Sequence, residues 1–181
     1  MIKLNSKMLT KSLFKKLQNS LDTSSYWKDY LNSFESLEEM PNGIHLAILV
    51  EPYLTYVLEG KKTVESRFSI NRCPPYKKVH SGDILLLKLS GGPIVGICKV
   101  TNVWSYQLDP SSWKTIRKEF TDSLCAQDPE FWYDRRYACF ATLMKINHPT
   151  TFTPLEIEKK DRRGWVVLRS NEKQLTLDEL V

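Results

Sequence analysis

The stretch Leu58–Ile70 reads LEGKKTVESRFSI and concentrates charge in a pattern that packing alone would not require. Its second half has strand character, and successive side chains of a strand point to opposite faces. One face would then carry, in a row, Thr63, Glu65, Arg67 and Ser69. Lys61 and Lys62 stand where this predicted strand begins. Such a row could hold a polar ligand while the opposite face joins a core.

A solvated strand face would produce the same alternation, because half-buried antiparallel strands ordinarily turn polar side chains outward. In that interpretation Glu65 and Arg67 pair in water, where an exposed ion pair contributes at most about 1 kcal/mol. The alternation by itself leaves both interpretations open.

The residues around this stretch resemble the signature of a known family. The segment Gly60–Arg67, GKKTVESR, follows an apolar helical turn, and Ser81–Asp83 precedes an apolar strand. This order is similar to that of the ASCH family, a branch of the PUA-like β-barrels. The resemblance extends from about His45 to Arg169 and implies a PUA-like barrel.

In the ASCH family the corresponding segment lines a cleft for RNA, nucleotides or modified nucleosides. The resemblance therefore implies that Lys62, Thr63, Glu65 and Arg67 are ligand-binding residues, with Lys61 beside them. One function is a module that binds RNA or a nucleotide. The alternative is a small hydrolase, a ribonuclease or a modified-nucleoside hydrolase, that acts in the same cleft. In the enzyme Lys62 would be the general base or charge stabiliser and Glu65 would transfer protons, since burial and neighbouring charges shift such groups toward neutral pH.

One activity found in the family is disfavoured by the residue at position 65. ASCH proteins that resemble amidohydrolases of acylated cytidine carry a nucleophilic threonine there, whereas this chain has Glu65. A carboxylate does not replace a hydroxyl nucleophile in amide cleavage without a change of chemistry. Thr63 and Ser66 remain as nearby hydroxyls, and cleavage of RNA remains as the enzyme alternative.

Basic residues are concentrated beside the motif. The chain has 26 Lys and Arg against 21 Asp and Glu, a net charge of +5. Between residues 61 and 80 Glu65 alone opposes Lys61, Lys62, Arg67, Arg72, Lys77 and Lys78. Such a surface suits phosphate groups, so Lys77 and Lys78 join the predicted ligand-binding residues. Trp104, Trp132 or Trp165 could stack on bases if one of them lies open in the cleft.

Cysteine and histidine positions give little support for a metal site. The cysteines form no Cys-x-x-Cys pair, and no histidine stands at a ligand spacing from them. The chain also lacks a glycine-rich phosphate loop, so we predict neither a metal nor a cofactor. For cysteines spread in this way, a reducing cytoplasm is the simplest expected location. No run approaches the ~20 apolar residues that cross a bilayer, so we predict a soluble protein that does not contact a membrane.

The chain divides into three predicted parts. Residues 1–43 form a helical extension, residues 44–170 the ASCH-like barrel domain, and residues 171–181 a tail. Apolar residues at helical spacing from Met8 to about Leu37 predict two amphipathic helices with a break at Asp22–Ser25. We expect these helices to pack on their own domain, because an aromatic stripe left in water would be a large exposed apolar patch. Docking of a protein partner on the helices is the alternative.

The remaining elements predict an α+β fold, a small mixed barrel with crossing helices. Strands are predicted at 44–50, 63–69, 84–89, 94–104, 137–146 and 165–168. Helices are predicted from Glu51 to Gly60, from Trp113 to Cys125 and as a short turn after Asp128. Pro154 is predicted to interrupt regular structure, and Glu158–Gly164 to form a charged turn.

Overall fold

A computed structural model describes residues 8–22, 25–35, 39–157 and 163–171. The helices in these ranges are α1 Met8–Ser20, α2 Tyr26–Asn32, α3 Tyr53–Leu58, α4 Pro110–Leu124 and α5 Pro129–Tyr133. The strands are β1 Ile44–Leu49, β2 Val64–Ser69, β3 Ile84–Leu89, β4 Ile94–Gln107, β5 Phe140–Leu155 and β6 Trp165–Arg169. Most of the predicted charged turn, the predicted end of the second helix near Leu37, and the tail beyond Asn171 lie outside the described residues. None of the described helices is long and apolar enough to span a membrane.

The strands form one sheet in the order β2-β5-β4-β3-β1-β6. The pair β1 and β3 is parallel, and the other neighbours are antiparallel. The parallel pair is possible because α3, β2 and the following loop lie between its two strands in the chain. The sheet curls into a half-barrel, which confirms the predicted α+β class and PUA-like barrel.

Strand β3 lies at the centre of the core because both of its faces are covered. Ile84 and Leu86 belong to one apolar cluster, and Leu85 and Leu87 belong to the cluster on the opposite side. Because successive side chains of β3 enter two different apolar clusters, both faces of the strand require apolar residues, and its sequence is a nearly continuous apolar run. A third cluster joins helices α4 and α5 to strands β2 and β5.

The N-terminal helices pack against the sheet, as expected from their apolar stripe. Leu13 and Leu17 of α1 and Trp27 and Leu31 of α2 are buried in the same cluster as Ile84 of β3. The Ser25 hydroxyl accepts a hydrogen bond from the Lys28 amide at 3.2 Å and so caps α2. A protein partner could therefore reach only the outer faces of α1 and α2, since their described apolar stripe is already covered.

Strand β5 extends well beyond its predicted end. The prediction that Pro154 interrupts regular structure is wrong, since β5 continues to Leu155. Both Pro149 and Pro154 lie where the register between β4 and β5 shifts. A proline lacks the amide hydrogen that a ladder requires, but a bulge leaves one residue unpaired and so accommodates it. The sequence pattern did not reveal these bulges.

A buried carboxylate joins the two turns that precede β1 and β3. Asp83 accepts hydrogen bonds from the amides of Gly43, at 2.7 Å, and His80, at 2.8 Å. A β-carbon at position 43 would lie 2.8 Å from the Asp83 carboxylate, so this position requires glycine. Asp83 thereby fixes where the parallel strands begin, and these strands support the site described next.

Candidate functional site

The turn between α3 and β2 directs Lys62 into the protein. Gly60 ends the helix with a φ of +72°, a left-handed conformation that glycine adopts without strain. The Lys62 amide then donates to the Tyr56 carbonyl, and the Thr63 amide donates to the Ser123 carbonyl on α4. Held at both residues, the chain buries the Lys62 side chain, which is 3% exposed.

Lys62, Glu65 and Arg67 form a charged cluster that we call the triad. The Lys62 ammonium donates to Glu65 Oε2 at 2.7 Å and to the Val64 carbonyl at 2.6 Å. Arg67 Nε lies 3.0 Å from Glu65 Oε1. Glu65 is 4% exposed, so its interpretation as part of a solvated face is wrong.

Arg67 connects opposite edges of the curled sheet. Its terminal nitrogens donate to the carbonyl of Ile48 in β1 at 2.9 Å and to that of Gly164, just before β6, at 3.1 Å. Strands β2 and β6 are the two ends of the sheet, so these bonds span the opening of the half-barrel. Much of the hydrogen-bonding capacity of Arg67 is therefore used within the protein.

Burial and mutual charge shift the pKa values of the triad. Burial has the largest influence on Lys62 and lowers its pKa below the ordinary value, although Glu65 opposes this effect. Burial alone would raise the pKa of Glu65, but the charges of Lys62 and Arg67 outweigh it and hold this pKa below its usual range. Glu65 is consequently an ionised hydrogen-bond acceptor at neutral pH.

The triad lies in the wall of a cleft of about 700 Å³. Its described lining includes five basic side chains, Lys62, Arg67, Lys88, Arg135 and Arg163, and two acidic ones, Glu65 and Glu156. Tyr53 and Phe131 supply aromatic rings, and Ser66 supplies a hydroxyl. The guanidinium of Arg135 lies 3.8 Å from the centre of the Phe131 ring. The arrangement combines positive charge, aromatic surface and fixed hydrogen-bonding groups.

A chain of contacts through Trp165, His45 and Asp83 supports Arg67 on the side of the protein core. Its guanidinium carbon lies 5.3 Å from the centre of the Trp165 ring. The indole nitrogen of Trp165 donates to His45 Nδ1 at 3.3 Å, and His45 Nε2 lies 3.1 Å from Asp83 Oδ2. Because an indole nitrogen can only donate, His45 carries its proton on Nε2 and donates it to Asp83. The buried Asp83 therefore orients Trp165 through His45, and the Trp165 ring packs against Arg67.

The structure brings some of the predicted ligand-binding residues together and separates others. Lys62, Glu65 and Arg67 meet in the cleft wall, whereas Lys61 and Thr63 are exposed and do not line it. Lys61 pairs instead with Glu59 at 2.6 Å. Lys77 and Lys78 are exposed on the loop after β2, also outside the cleft lining.

The proposed stacking tryptophans do not line the cleft. Trp132 and Trp165 are buried, and Trp104 packs on Phe120 with ring centres 4.9 Å apart. Tyr53 and Phe131 line the cleft instead. Nothing in the sequence spacing of Tyr53 and Phe131 distinguishes a residue at the edge of the core from one in its interior.

Three basic residues of the cleft, Lys88, Arg135 and Arg163, were not predicted as site residues, although Lys88 and Arg135 each have a signal in the sequence. Lys88 interrupts the apolar run of β3, is 6% exposed, and donates to the main-chain carbonyls of Leu89 and Gly92. A lysine within a strand covered on both faces indicates a buried charged site. Arg135 follows the aromatic turn of α5 and forms a basic pair with Arg136, but nothing in the sequence links this pair to the motif.

The described residues include no group of three or more His, Cys, Asp and Glu side chains placed to hold a metal ion. Five basic side chains line the cleft, and their nitrogens do not coordinate metals while protonated. The cleft as built suits an anionic or polar organic ligand.

Comparison with known proteins gives the following matches. Several solved structures are similar, among them the crystal structure of ASCH from Zymomonas mobilis, with a TM-score of 0.57 and 14% identity over 76% of this chain and 94% of that one. Two structures of mutants of the same Zymomonas protein give TM-scores of 0.57 and 0.56 at 13% and 14% identity, and cover 75% and 76% of this chain and 95% and 97% of theirs. At such identities these matches show the shared fold. A search among curated proteins found no match.

The family model described as the ASCH domain matches residues 48–161. This range contains α3, the triad, strands β2 to β5 and both helices of the third cluster. The match covers more than half of the chain, and the resemblance first seen in the motif is confirmed. The chain belongs to the ASCH family.

Proposed function

We propose that the cleft binds RNA or a nucleotide, the function that the ASCH resemblance implies. The observation that supports it most is the composition of the cleft wall. Its described lining has five basic side chains, two acidic ones and two aromatic rings. Phosphate groups require the positive charge, and the flat faces of bases stack on aromatic rings.

The groups of the cleft divide into a fixed framework and a ligand surface. Lys62 and Arg67 are engaged with Glu65 and with main-chain carbonyls, so they set the charge and shape of the wall. Arg135 is half-buried over Phe131 and donates one hydrogen bond, to the Phe131 carbonyl at 2.6 Å. A guanidinium has five donors, so Arg135 retains several with which to contact a phosphate.

A hydrolase in the same cleft is the second candidate, and the lowered pKa of Lys62 favours it. Burial lowers the pKa of Lys62, so this lysine gives up its proton more readily than an exposed one, as a general base requires. Glu65, held ionised, would accept a proton or orient Lys62 rather than act as an acid. Incubating the wild-type protein with RNA and modified nucleosides, followed by mass spectrometry, separates the two: new products indicate the hydrolase, and retention without products indicates the binding module.

Replacement of Arg135 by alanine tests the binding proposal. We expect the affinity for a fluorescein-labelled single-stranded RNA to fall about tenfold or more, since a charge-assisted hydrogen bond contributes about 1.5–3 kcal/mol. The slope of log affinity against log salt should become shallower by about 0.7 if Arg135 contacts one phosphate. Fluorescence anisotropy over a series of salt concentrations measures both quantities.

Arg117→Ala is the matched control for Arg135→Ala. Arg117 also stacks on aromatic rings, at 5.4 Å from Trp132 and 5.9 Å from Trp113, but it lies on α4 and outside the cleft lining. Its replacement should leave affinity and salt slope unchanged. Equal effects of the two replacements, or no effect of Arg135→Ala, would contradict binding in the cleft.

A further inference from the structure

Two exposed tyrosines enclose an arginine on the surface after α5. Tyr133 and Tyr137 are 62% and 70% exposed. The guanidinium carbon of Arg136 lies 3.7 Å from the Tyr133 ring centre and 4.4 Å from that of Tyr137. We call these three residues the tyrosine patch. Tyrosine is enriched at binding surfaces, where its ring and its hydroxyl can both contact a ligand.

The surroundings of the tyrosine patch are basic. The loop of residues 71–78 presents the exposed side chains of Arg72, Lys77 and Lys78 and contains no acidic residue. This loop packs on the strand that follows the patch, because Tyr76 and Arg72 contact the Phe140 ring at 5.0 and 5.4 Å. The loop therefore contacts the chain three residues beyond Tyr137.

The tyrosine patch begins where the cleft ends. Arg135 lines the cleft, and the next residue, Arg136, belongs to the patch. The α-carbons of consecutive residues are about 3.8 Å apart. Helix α5 likewise supplies Phe131 to the cleft and Tyr133 to the patch. The patch therefore lies next to the cleft lining along α5 and the residues that follow it.

We propose that the tyrosine patch and the 71–78 loop bind the continuation of a single-stranded nucleic acid whose first nucleotide occupies the cleft. The rings of Tyr133 and Tyr137 would stack on bases, and Arg72, Lys77 and Lys78 would contact phosphates. Interleaved aromatic and cationic side chains are the arrangement that binds single strands without a fixed sequence. The inference rests on the proposed function and adds to it that the ligand is an oligonucleotide rather than a free nucleotide.

The test compares a long and a short ligand. The probes are a fluorescein-labelled oligouridylate of about eight nucleotides, within the range of known single-strand sites, and uridine 5′-monophosphate as the short ligand. We expect Tyr133→Ala with Tyr137→Ala to weaken oligouridylate binding about tenfold or more and to leave the affinity for the mononucleotide unchanged. Replacing both tyrosines by phenylalanine should retain oligouridylate affinity, because the rings that stack are kept.

Tyr26→Ala is the matched control, since Tyr26 is also exposed, at 42%, and lies on α2 away from the patch. Undiminished oligouridylate affinity in the double alanine variant, or no binding of oligouridylate to the wild type, would overturn the inference. The outcome in which the tyrosine variants lose affinity while Arg135→Ala keeps it would support the patch and refute the cleft. Retention of a protein partner by the patch, in place of oligouridylate, would also overturn it.

Discussion

Glu65→Gln should lower the free energy of unfolding by about 3–5 kcal/mol, the range found when one partner of a buried ion pair is removed. The amide would leave the buried Lys62 ammonium and the Nε of Arg67 without their counter-charge. Chemical denaturation at neutral pH measures the loss. Lys62→Met combined with Glu65→Met should recover the part of the loss that comes from Lys62, because no unpaired ammonium remains buried, whereas Arg67 Nε still lacks its partner.

The exposed pair of Glu59 and Lys61 provides the control for this result. Its atoms are 2.6 Å apart, but the side chains are 48% and 64% exposed. Glu59→Gln should therefore change stability little, since solvent screens exposed ion pairs. A loss for Glu59→Gln equal to that for Glu65→Gln would contradict the role of burial.

The effect of Glu65→Gln should depend on pH. The pKa of Glu65 is lowered on folding, so its stabilisation is fully present above the unfolded value near 4.5 and is lost as pH falls through the folded value. The stability difference between the wild type and Glu65→Gln should be largest at neutral pH and shrink in strong acid. A difference that stays constant down to the acid transition would contradict an ionised Glu65.

Trp27→Ala should destabilise the protein by about 3–5 kcal/mol, the usual cost of truncating a buried tryptophan. Trp27 is fully buried between α2 and the sheet, and its indole nitrogen donates to the His148 carbonyl at 2.7 Å. Thermal or chemical denaturation measures the loss. Limited proteolysis should cut the N-terminal helices of the variant faster, because Trp27 attaches them to the bulge in β5.

Two variants separate the contributions of Trp27. Trp27→Phe keeps much of the apolar volume and removes the hydrogen bond, so it should cost less than Trp27→Ala. Tyr26→Ala, at a neighbouring and partly exposed position, should cost least. Release of the helices from the wild type without loss of stability would show that they do not belong to the same core.

Local signals in the sequence predicted much of the fold. Gly60 after an apolar turn and the continuous apolar run of Ile84–Leu89 are short-range features, and the structure contains the corresponding elements. The end of β5 was predicted wrongly because a bulge depends on the partner strand. Considered alone, Pro154 predicts an interruption of the strand. Paired with β4, it lies where the register shifts, and the bulge accommodates it.

The candidate site was only partly predictable, for the same reason. Glu65 and Arg67 share a strand, so their common face followed from periodicity. The burial of Glu65 could not be predicted from periodicity. It depends on the turn that brings in Lys62 and on the main-chain carbonyls beside Arg67. Lys88 and Arg135 come from β3 and from the segment after α5, and only the curled sheet brings them to one cleft.

Photocross-linking tests the cleft assignment most directly. The wild-type protein is irradiated with a 4-thiouridine-labelled single-stranded RNA, and the modified residues are identified by mass spectrometry. We expect cross-links at Tyr53 or Phe131, the aromatic rings of the cleft lining, and their loss in Arg135→Ala. Efficient cross-links confined to surfaces outside the cleft, such as the exposed face of α4, would contradict the proposal that this cleft binds RNA.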